Sequence, residues 1–251
     1  IENKAFGFIA GFTGEEIEKK VKKSGCRAEF IKLKEGLSRI NVKLKSEEES
    51  EINAQGPIID EKSIEDLYKK LDEIKDGDIL VLAGSIPNTL PSDMYEKIMK
   101  YLSNKKIKVV VDATNDLLLN VLKYNPFLIK PNKHELEEMF KVTINSENEI
   151  IDYAKKLQDM GALNVLISMA GDGAILINEN GEVLRHKAPK GEVKNSVGAG
   201  DSMVAGFVAG YIMKNDYKDA LKFGIATGSA SAFSEDLATK EKVFEILEMI
   251  G

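Results

Sequence analysis

The sequence predicts an α/β fold in which helices cover both faces of a mostly parallel sheet. Along most of the chain, short continuous apolar runs alternate with amphipathic helical segments, which is typical of parallel strands buried on both sides. At about residues 25–56 the pattern changes to alternating polar and apolar residues, which predicts a small antiparallel β lid with one solvated face. Because no long linker or internal repeat interrupts the sequence, we expect a single domain, 1–251, with this lid inserted in it.

The first elements follow from local patterns. An apolar run at 5–10 predicts a buried strand, and Thr13 with Glu16 forms a capping box that predicts the start of a helix. Within the lid, alternation predicts strands that are separated by turn-like segments. The predicted lid strands span 27–34, 40–45 and 51–55, and the turns span 35–38 and 46–50.

Alternating helices and strands make up the rest of the chain. The predicted helices share the apolar spacing of an amphipathic helix, and they span 63–74, 94–102, 117–122, 134–140, 147–160, 200–214, 217–233 and 240–250. The predicted strands are short apolar runs, and they span 79–83, 107–111, 127–129, 163–168, 174–178 and, at an edge, 183–186.

Composition excludes several classes of protein. A hydrophobic content of 43% allows a sizeable core, and the net charge of −6 argues against a nucleic-acid or anionic-membrane surface. Cys26 is the only cysteine, so no disulfide can form within the chain and a reducing compartment is expected. No apolar run approaches the roughly 20 residues that a membrane helix requires. We therefore expect a cytoplasmic protein without nucleic-acid or membrane partners.

The most informative stretch is 195–208, N-S-V-G-A-G-D-S-M-V-A-G-F-V. Gly198, Ala199 and Gly200, called the glycine turn below, lead through Asp201 into a helix of small and apolar residues. Backbone N–H groups of such a turn can converge on an anion, and the start of the helix adds positive potential. An aspartate there is suited to accept a proton from a hydroxyl that attacks a phosphoryl group. An ordinary helix cap is the alternative role for Asp201.

This segment resembles the C-terminal signature of the ribokinase-like (pfkB-type) carbohydrate kinases. The resemblance implies a three-layer ribokinase-like fold with ATP and Mg²⁺ as cofactors. It also implies that Asp201 is the catalytic base and that the amides of Gly198, Ala199 and Gly200 form the anion hole, with Gly198 and Gly200 also at the nucleotide.

Residues 130–135, K-P-N-K-H-E, match the N-x-x-E motif of the same family. Asn132 and Glu135 lie three residues apart at a predicted helix start, so their side chains can face one point. The resemblance implies that both hold Mg²⁺ and that Asn132 also contacts the nucleotide, which suits an ion that keeps most of its waters. A helix cap, with each residue bonded to the other, is the alternative.

Two further segments resemble nucleotide-binding parts of the family. Ser168, Gly171 and Gly173 match its S-x-G-x-x-G segment, although Ala170 stands where a glycine is usual. The alternative is a plain hairpin turn between two strands. Ala226 begins a stretch of small residues, 226–231, which in the family lies against the nucleotide base. Tight packing between helices explains the same residues without a ligand.

The sugar-phosphate site is implied by two other matches. Arg39 and Asn41, in S-R-I-N, resemble a lid segment of the kinases that act on phosphorylated ketoses, and Lys43 is nearby. An arginine offers a planar fork to a phosphate, although most arginines are simply solvent-exposed. Gly84 and Ser85, in G-S-I-P, resemble the family's substrate loop, for which an ordinary strand-to-helix turn is the alternative. Asp112 matches another family position whose role is not assigned.

Taken together, these resemblances imply ATP-dependent phosphorylation of fructose 1-phosphate to fructose 1,6-bisphosphate. A tagatose-6-phosphate kinase is the alternative activity, and a sugar-phosphate-binding protein without catalysis is a third possibility. A homodimer formed through the lid is also expected. The family's usual first strand and its G-G-K-G-x-N segment are absent from this chain, so about 50 N-terminal residues of the family architecture are expected to be missing.

Overall fold

A computed structural model describes residues 1–44 and 50–251. The α-helices of these residues are α1 Gly11–Lys23, α2 Glu61–Asp72, α3 Met94–Tyr101, α4 Asn115–Leu119, α5 Lys133–Phe140, α6 Glu147–Asp159, α7 Ala199–Lys214, α8 Tyr217–Ala232 and α9 Lys240–Met249. The strands are β1 Lys4–Ala5, β2 Phe8–Ile9, β3 Arg27–Ala28, β4 Ile31–Lys32, β5 Asn41–Leu44, β6 Ser50–Asn53, β7 Ile79–Ala83, β8 Lys108–Asp112, β9 Leu128–Ile129, β10 Asn164–Ser168, β11 Ala174–Ile177 and β12 Val183–His186.

The chain divides into two compact units. Unit 1 comprises Ile1–Asp78, Ile86–Met94 and Asn104–Lys106, and unit 2 comprises Ile79–Ser85, Tyr95–Ser103 and Ile107–Gly251. Among residues 1–44 and 50–251, no helix combines the length and the apolar content that a bilayer-spanning segment requires.

Unit 2 is built on a six-stranded sheet with the order β12-β11-β10-β9-β8-β7. Strands β7 to β10 are parallel, and β11 and β12 continue the sheet in antiparallel pairing at one edge. Successive residues of a strand face opposite sides of the sheet, and both Leu128 and Ile129 are fully buried. Protein therefore covers both faces, which confirms the predicted mostly parallel sheet with flanking helices.

Helices α7 and α8 pack against each other in unusually close contact. A Cβ atom on Gly206 would overlap the side chain of Thr227, and a Cβ on Gly210 would lie 2.9 Å from the Cα of Ala220. Glycine at these positions lets the two backbones approach, and it places Val204 and Phe207 of α7 in the apolar core against the sheet.

Unit 1 corrects two expectations from the sequence. Strands β3 and β4, which lie within the predicted antiparallel strand 27–34, pair in parallel with β1 and β2. Alternating polar and apolar residues indicate that one face of a strand is more exposed to solvent than the other. They carry no information about whether the neighbouring strand runs parallel or antiparallel. The described antiparallel pairing of the lid is that of β5 with β6, in which Val42 stands opposite Ile52. The predicted turn at 46–50 lies, except for Ser50, outside the described residues.

The second correction concerns Thr13, which does not cap a helix. Helix α1 already begins at Gly11, and its N-cap residue Ala10 provides no side-chain cap. The Thr13 hydroxyl instead donates a hydrogen bond to the carbonyl oxygen of Ser38 at 2.9 Å. Buried Ser38 also accepts a bond from the Ala10 N–H through its Oγ at 3.0 Å. These bonds fix the backbone immediately before Arg39.

Candidate active site

Within unit 2, four parallel strands end side by side at one edge of the sheet. Gly84 follows β7, Asp112 ends β8, Lys130 follows β9 and Ser168 ends β10. The Gly84 N–H donates to the Asp112 carbonyl at 3.1 Å, and Asn132 forms an isolated parallel bridge with Ser168. Ligands of open α/β sheets bind outside the carboxyl ends of the strands, so this edge is the candidate active site.

An ion pair lies at the centre of this edge. The Nζ of Lys130 is 3.4 Å from Asp112 Oδ1, and the two side chains are only 7% and 16% exposed. Burial raises the pKa of Asp112, and the negative charges of Asp201 and Glu135 act in the same direction, while Lys130 opposes them. The negative charges of Asp201 and Glu135 therefore act on Asp112, which pairs with the buried ammonium of Lys130.

A buried tyrosine fixes the loop that follows β7. The Tyr95 hydroxyl donates to the carbonyl oxygens of Ala83 and Gly84, at 2.7 and 3.2 Å. Burial, together with the negative charge of Asp112, raises the pKa of Tyr95 to about 12, so the hydroxyl remains protonated at neutral pH. Gly84 has a φ of +86°, which glycine adopts without strain, and exposed Ser85 follows it.

The glycine turn opens α7 without a side-chain cap. Gly198, at φ +77°, is the N-cap residue, and exposed Asp201 lies in the first helical turn. The alternative role of Asp201 as a helix cap is therefore not what the structure shows. N–H groups in the first turn of a helix have no partner within the helix and can serve a ligand. The Ala199 N–H already donates to the Ser196 carbonyl at 3.2 Å, so it is the least available of the predicted set.

Asn132 and Glu135 form a complete capping box at the start of α5. The cap alternative is therefore realised, but it does not exclude the predicted metal role. The bond to the Asn132 N–H uses only Oε2 of Glu135, which leaves Oε1 for water or an ion. In the part of the chain that the structure describes, no group of three acidic, histidine or cysteine side chains could hold a metal. A Mg²⁺ ion bound mainly through water and phosphate oxygens needs no such cluster, so these residues fit it.

The segment from Ser168 to Gly173 is a hairpin turn between β10 and β11. Ala170 takes a φ of +48°, which explains why a glycine is usual at this position. Gly173 has a φ of +98°, and a Cβ there would overlap the carbonyl oxygen of His186. A Cβ on Gly171 would meet no atom within 4 Å, so this residue alone leaves open space beside the turn.

The prediction that Ala226 contacts a nucleotide is not supported by its surroundings. Ala226 is fully buried, in an apolar cluster with Ala230 and Ile246 of α9. Its side chain therefore contacts protein, and the packing alternative accounts for it. The small residues of this helix allow α8 to approach both α7 and α9.

Arg39 and Asn41 belong to unit 1. Both residues are exposed, and Asn41 begins β5 opposite Asn53. Lys43 follows in the same strand, and its side chain lies outside the described residues. The anchored Ser38 precedes them, so the start of the lid strand is held by hydrogen bonds of the unit itself.

Two residues of the candidate site, Lys130 and Tyr95, were not predicted from the sequence. Lys130 directly follows the apolar run 127–129, and a lysine that continues a buried strand is a signal of a paired internal charge. Tyr95 lies in an ordinary amphipathic pattern. Its bonds to the loop after β7 depend on the tertiary structure, so the sequence gives no signal for it.

A parallel sheet with a glycine turn and an acidic residue at its carboxyl edge is the arrangement that the resemblance to ribokinase-like carbohydrate kinases predicts. The chain belongs to the pfkB family of carbohydrate kinases, which it matches over residues 1–242.

Sequence similarity to named proteins extends over nearly the whole chain. A 1-phosphofructokinase of Bacillus subtilis is 46% identical over 247 residues, which are 98% of this chain and 81% of the relative. A D-tagatose-1-phosphate kinase of Bacillus licheniformis is 37% identical over 251 residues, 100% of this chain and 82% of the relative. A crystal structure of a candidate phosphofructokinase from Staphylococcus aureus superposes with a TM-score of 0.88 at 42% identity, covering 99% of this chain and 81% of that one. The ribokinase-like fold is thereby confirmed.

Proposed function

We propose that this protein transfers the terminal phosphoryl group of ATP to the C6 hydroxyl of fructose 1-phosphate. The observation that carries the proposal is the exposed carboxylate of Asp201, in the uncapped first turn of α7 next to the glycine turn. The family supports phosphoryl transfer to a carbohydrate. The 46% identity to a 1-phosphofructokinase supports the choice of fructose 1-phosphate.

In the proposed transfer, Asp201 acts as the base. The carboxylate accepts the proton of the C6 hydroxyl, and the hydroxyl oxygen forms a bond to the terminal phosphorus of ATP. The bond from that phosphorus to the bridging oxygen breaks, and ADP leaves with its electron pair. Donors of the glycine turn, chiefly the N–H groups of Gly198 and Gly200, stabilise the charge on the transferred group.

Glu135 and Asn132 are proposed to hold the metal that accompanies the nucleotide. Mg²⁺, when bound, would neutralise charge on the phosphate oxygens. Oε1 of Glu135 would be available to this ion, because Oε2 is used by the cap. Ser168, which bridges to Asn132, and Gly171, which leaves open space, are proposed to line the nucleotide site, whereas Gly173 keeps the shape of the hairpin.

The phosphate already on C1 is assigned to Arg39. A guanidinium binds phosphate through two parallel hydrogen bonds, and Asn41 can bond the sugar hydroxyls. The hydrogen bonds at Ser38 hold the backbone from which Arg39 extends. Gly84 and Ser85, which belong to unit 2, are separately proposed to contact the sugar through backbone approach and the serine hydroxyl.

A second candidate substrate is a tagatose phosphate. The sequence suggested tagatose 6-phosphate, and the relative that covers the whole chain at 37% identity is named for tagatose 1-phosphate. Both ketose 1-phosphates present the same C1 phosphate and the same C6 hydroxyl. A site that recognises the C1 phosphate and the C6 hydroxyl can distinguish the two sugars only through contacts with the hydroxyl groups on the carbons between C1 and C6.

We further propose a homodimer that forms through the lid. The pair β5–β6 exposes the apolar side chains of Val42 and Ile52, which are 41% and 58% exposed, and Ile40, immediately before β5, is 59% exposed. A two-stranded sheet is only marginally stable alone and leaves strand edges unpaired. The lid of a second copy would cover both the apolar face and the edges.

The test is ADP release by the full-length protein with fructose 1-phosphate, tagatose 1-phosphate, tagatose 6-phosphate and fructose 6-phosphate. The proposal expects the highest kcat/KM with fructose 1-phosphate. A higher value with either tagatose phosphate would favour the second candidate. Binding of these sugars without any ADP release would instead favour a protein that only binds them.

A further inference from the structure

The backbone bends sharply where β7 ends, and a buried hydroxyl group meets the bend. Tyr95 is 9% exposed, and its hydroxyl lies 2.7 Å from the carbonyl oxygen of Ala83 and 3.2 Å from that of Gly84. Successive carbonyls of an extended strand point to opposite sides, so two that meet one hydroxyl require a bend between them. The φ of +86° at Gly84 provides this bend, because glycine adopts it without strain.

Two successive peptide groups of this bend are held within unit 2. In the first, between Ala83 and Gly84, the carbonyl accepts from Tyr95 and the N–H donates to the Asp112 carbonyl oxygen at 3.1 Å. In the second, between Gly84 and Ser85, the carbonyl also accepts from Tyr95. The N–H and C=O of a planar trans peptide point in opposite directions. The hydroxyl of Tyr95 therefore also fixes the direction of the Ser85 N–H.

The outer side of the bend is accessible. Gly84 and Ser85 are exposed, and a Cβ on Gly84 would meet no atom within 4 Å. The bend follows the carboxyl end of β7, which is where open α/β sheets bind ligands. A ligand can therefore approach the backbone of Gly84 from solvent, while buried Tyr95 holds the same backbone from within the protein.

The hydrogen bonds of Tyr95 also join two separate points of the chain. The chain leaves unit 2 after Ser85 and returns to it at Tyr95. The bonds to Ala83 and Gly84 therefore close the base of the intervening segment 86–94. Because the hydroxyl lies at the point of return, the bend is fixed by unit 2 itself.

We propose that Tyr95 is a positioning residue for the sugar phosphate: its hydroxyl holds the peptide group between Gly84 and Ser85 in the orientation that binds the sugar. The inference rests on the proposed function, because that function assigns Gly84 and Ser85 to the sugar. Tyr95 itself touches no substrate and exchanges no proton. Burial and the charge of Asp112 raise the pKa of Tyr95 to about 12, so the hydroxyl remains a donor throughout the neutral range.

The experiment uses Tyr95→Phe in the full-length protein, which removes the hydroxyl and keeps the ring. Tyr217→Phe is the matched control, because the Tyr217 hydroxyl donates to Glu179 within unit 2 at the same distance of 2.7 Å. By calorimetric titration, Tyr95→Phe should raise the Kd of fructose 1-phosphate about tenfold, the cost of about one misplaced hydrogen bond. The Kd of a non-hydrolysable ATP analogue should stay within about twofold, and Tyr217→Phe should change neither Kd.

Kinetics give a second measure of the same effect. With ATP saturating, Tyr95→Phe should raise the sugar KM about tenfold and keep kcat within about threefold, because sugar that binds meets unchanged catalytic groups. A merely structural role would instead lower the Tm and leave the Kd values of both substrates unchanged, or raise both equally. Either result would overturn the proposal.

Hydrogen exchange shows whether the hydroxyl holds the bend. In Tyr95→Phe the amides of Gly84 and Ser85 should exchange faster than in the wild type, as measured by NMR, and fructose 1-phosphate should slow them in both proteins. Unchanged exchange at both amides in the variant would contradict the positioning role. If the proposed function fails, the wild type releases no ADP with any sugar phosphate, whereas the exchange rates without sugar still test the hold of Tyr95 on the bend.

Gly84→Ala carries the inference if Tyr95→Phe does not fold. Its methyl group enters the open space beside the bend, so the Kd of fructose 1-phosphate should rise at least about tenfold while that of the ATP analogue stays within about twofold. Gly181→Ala is the control for backbone strain, because Gly181 has a φ of +77° and a Cβ there would also meet no atom within 4 Å. An unchanged sugar Kd in Gly84→Ala, or an equal rise in Gly181→Ala, would overturn the proposal.

Discussion

Asn132 and Glu135 bond to each other in both directions at the start of α5. Asn132 Oδ1 accepts the Glu135 N–H at 2.8 Å, and Glu135 Oε2 accepts the Asn132 N–H at 2.8 Å. The same residues are the proposed metal ligands, so one pair would stabilise the helix and serve the cofactor. Ser146 and Glu149 form an equivalent capping box at the start of α6, which provides an internal comparison.

The first prediction separates these two roles of Glu135. Glutamine also completes a capping box, so Glu135→Gln should leave the Tm within a few degrees of the wild type. The loss of a full negative charge should raise the Mg²⁺ concentration for half-maximal activity about tenfold. Glu149→Gln should change neither quantity. If Glu135→Gln keeps the wild-type Mg²⁺ dependence, Glu135 is a cap only.

The second prediction concerns the base. Asp201→Asn should lower kcat by about 10²–10⁴-fold and leave both KM values close to normal, because a positioned base acts mainly on the chemical step. Asp216→Asn is the matched control, since Asp216 caps α8 through the Lys218 and Asp219 N–H groups. Asparagine caps a helix equally well, so this control should keep full turnover. Turnover of Asp201→Asn within a few-fold of the wild type would exclude Asp201 as the base.

The third prediction concerns the phosphate of the substrate. Arg39→Ala should raise the KM of the sugar phosphate by at least about tenfold, the cost of losing a charge-assisted bond, and affect the KM of ATP much less. Arg27→Ala is the control, because Arg27 is also an exposed arginine of unit 1 but lies outside the S-R-I-N segment. Steady-state kinetics with each substrate varied in turn gives both constants. Equal changes in the two KM values would contradict the assignment.

The fourth prediction tests the lid as a dimer interface. Val42→Asp places a charge on the exposed apolar side of β5 and should convert a dimer to a monomer, as measured by light scattering at micromolar concentration. Ile40→Asp should do the same. Ile58→Asp is the control, because Ile58 is 81% exposed and lies outside the strand pair. A wild-type mass of one chain, or a dimer that tolerates both lid charges, would rule out this interface.

The fifth prediction compares two glycines of the β10–β11 hairpin. Gly173→Ala should destabilise the fold by at least about 2 kcal/mol, because alanine is strained at this φ and its Cβ overlaps the His186 carbonyl. Gly171→Ala should change stability by less than about 1 kcal/mol, yet it should raise the KM of ATP if the nucleotide approaches the backbone there. Denaturant unfolding and ATP titration distinguish the effects. Wild-type stability in Gly173→Ala would contradict the steric argument.

The sheet could be predicted because its strands carry their own signal. The run 79–83 is apolar throughout and coincides with β7, the last strand of the six-stranded sheet, in which Leu82 is buried although Val81 is exposed. The direction of pairing of β3 and β4 could not be predicted, because partner choice depends on chain segments that are far apart. The role of Thr13 was also wrong, because its hydroxyl bonds to Ser38 rather than to its own helix.

The candidate site was predicted only where a residue belongs to a short pattern. Gly198, Gly200 and Asp201 follow one another in the chain, so their proximity is given by the sequence itself. The contact of Lys130 with Asp112 joins the ends of two neighbouring strands, and the burial that makes it unusual arises only when the sheet is formed. The metal-binding role predicted for Asn132 and Glu135 came from the family resemblance. The helix cap that they form could be predicted from their spacing of three residues alone.

The contact between α7 and α8 has a consequence for how this protein tolerates mutation. Gly206 and Gly210 lie about one and a half and two and a half helical turns beyond Asp201, and any side chain there would push the two helices apart. In a selection for activity that covers every single substitution, variants at these glycines would be lost as often as variants at a catalytic residue. The two kinds of position differ in what is lost: substitutions at the glycines reduce the amount of folded enzyme, whereas those at Asp201 leave the amount unchanged and lower turnover. A position in α7 can therefore be sensitive to mutation either because the backbones of α7 and α8 are close there or because its side chain takes part in catalysis.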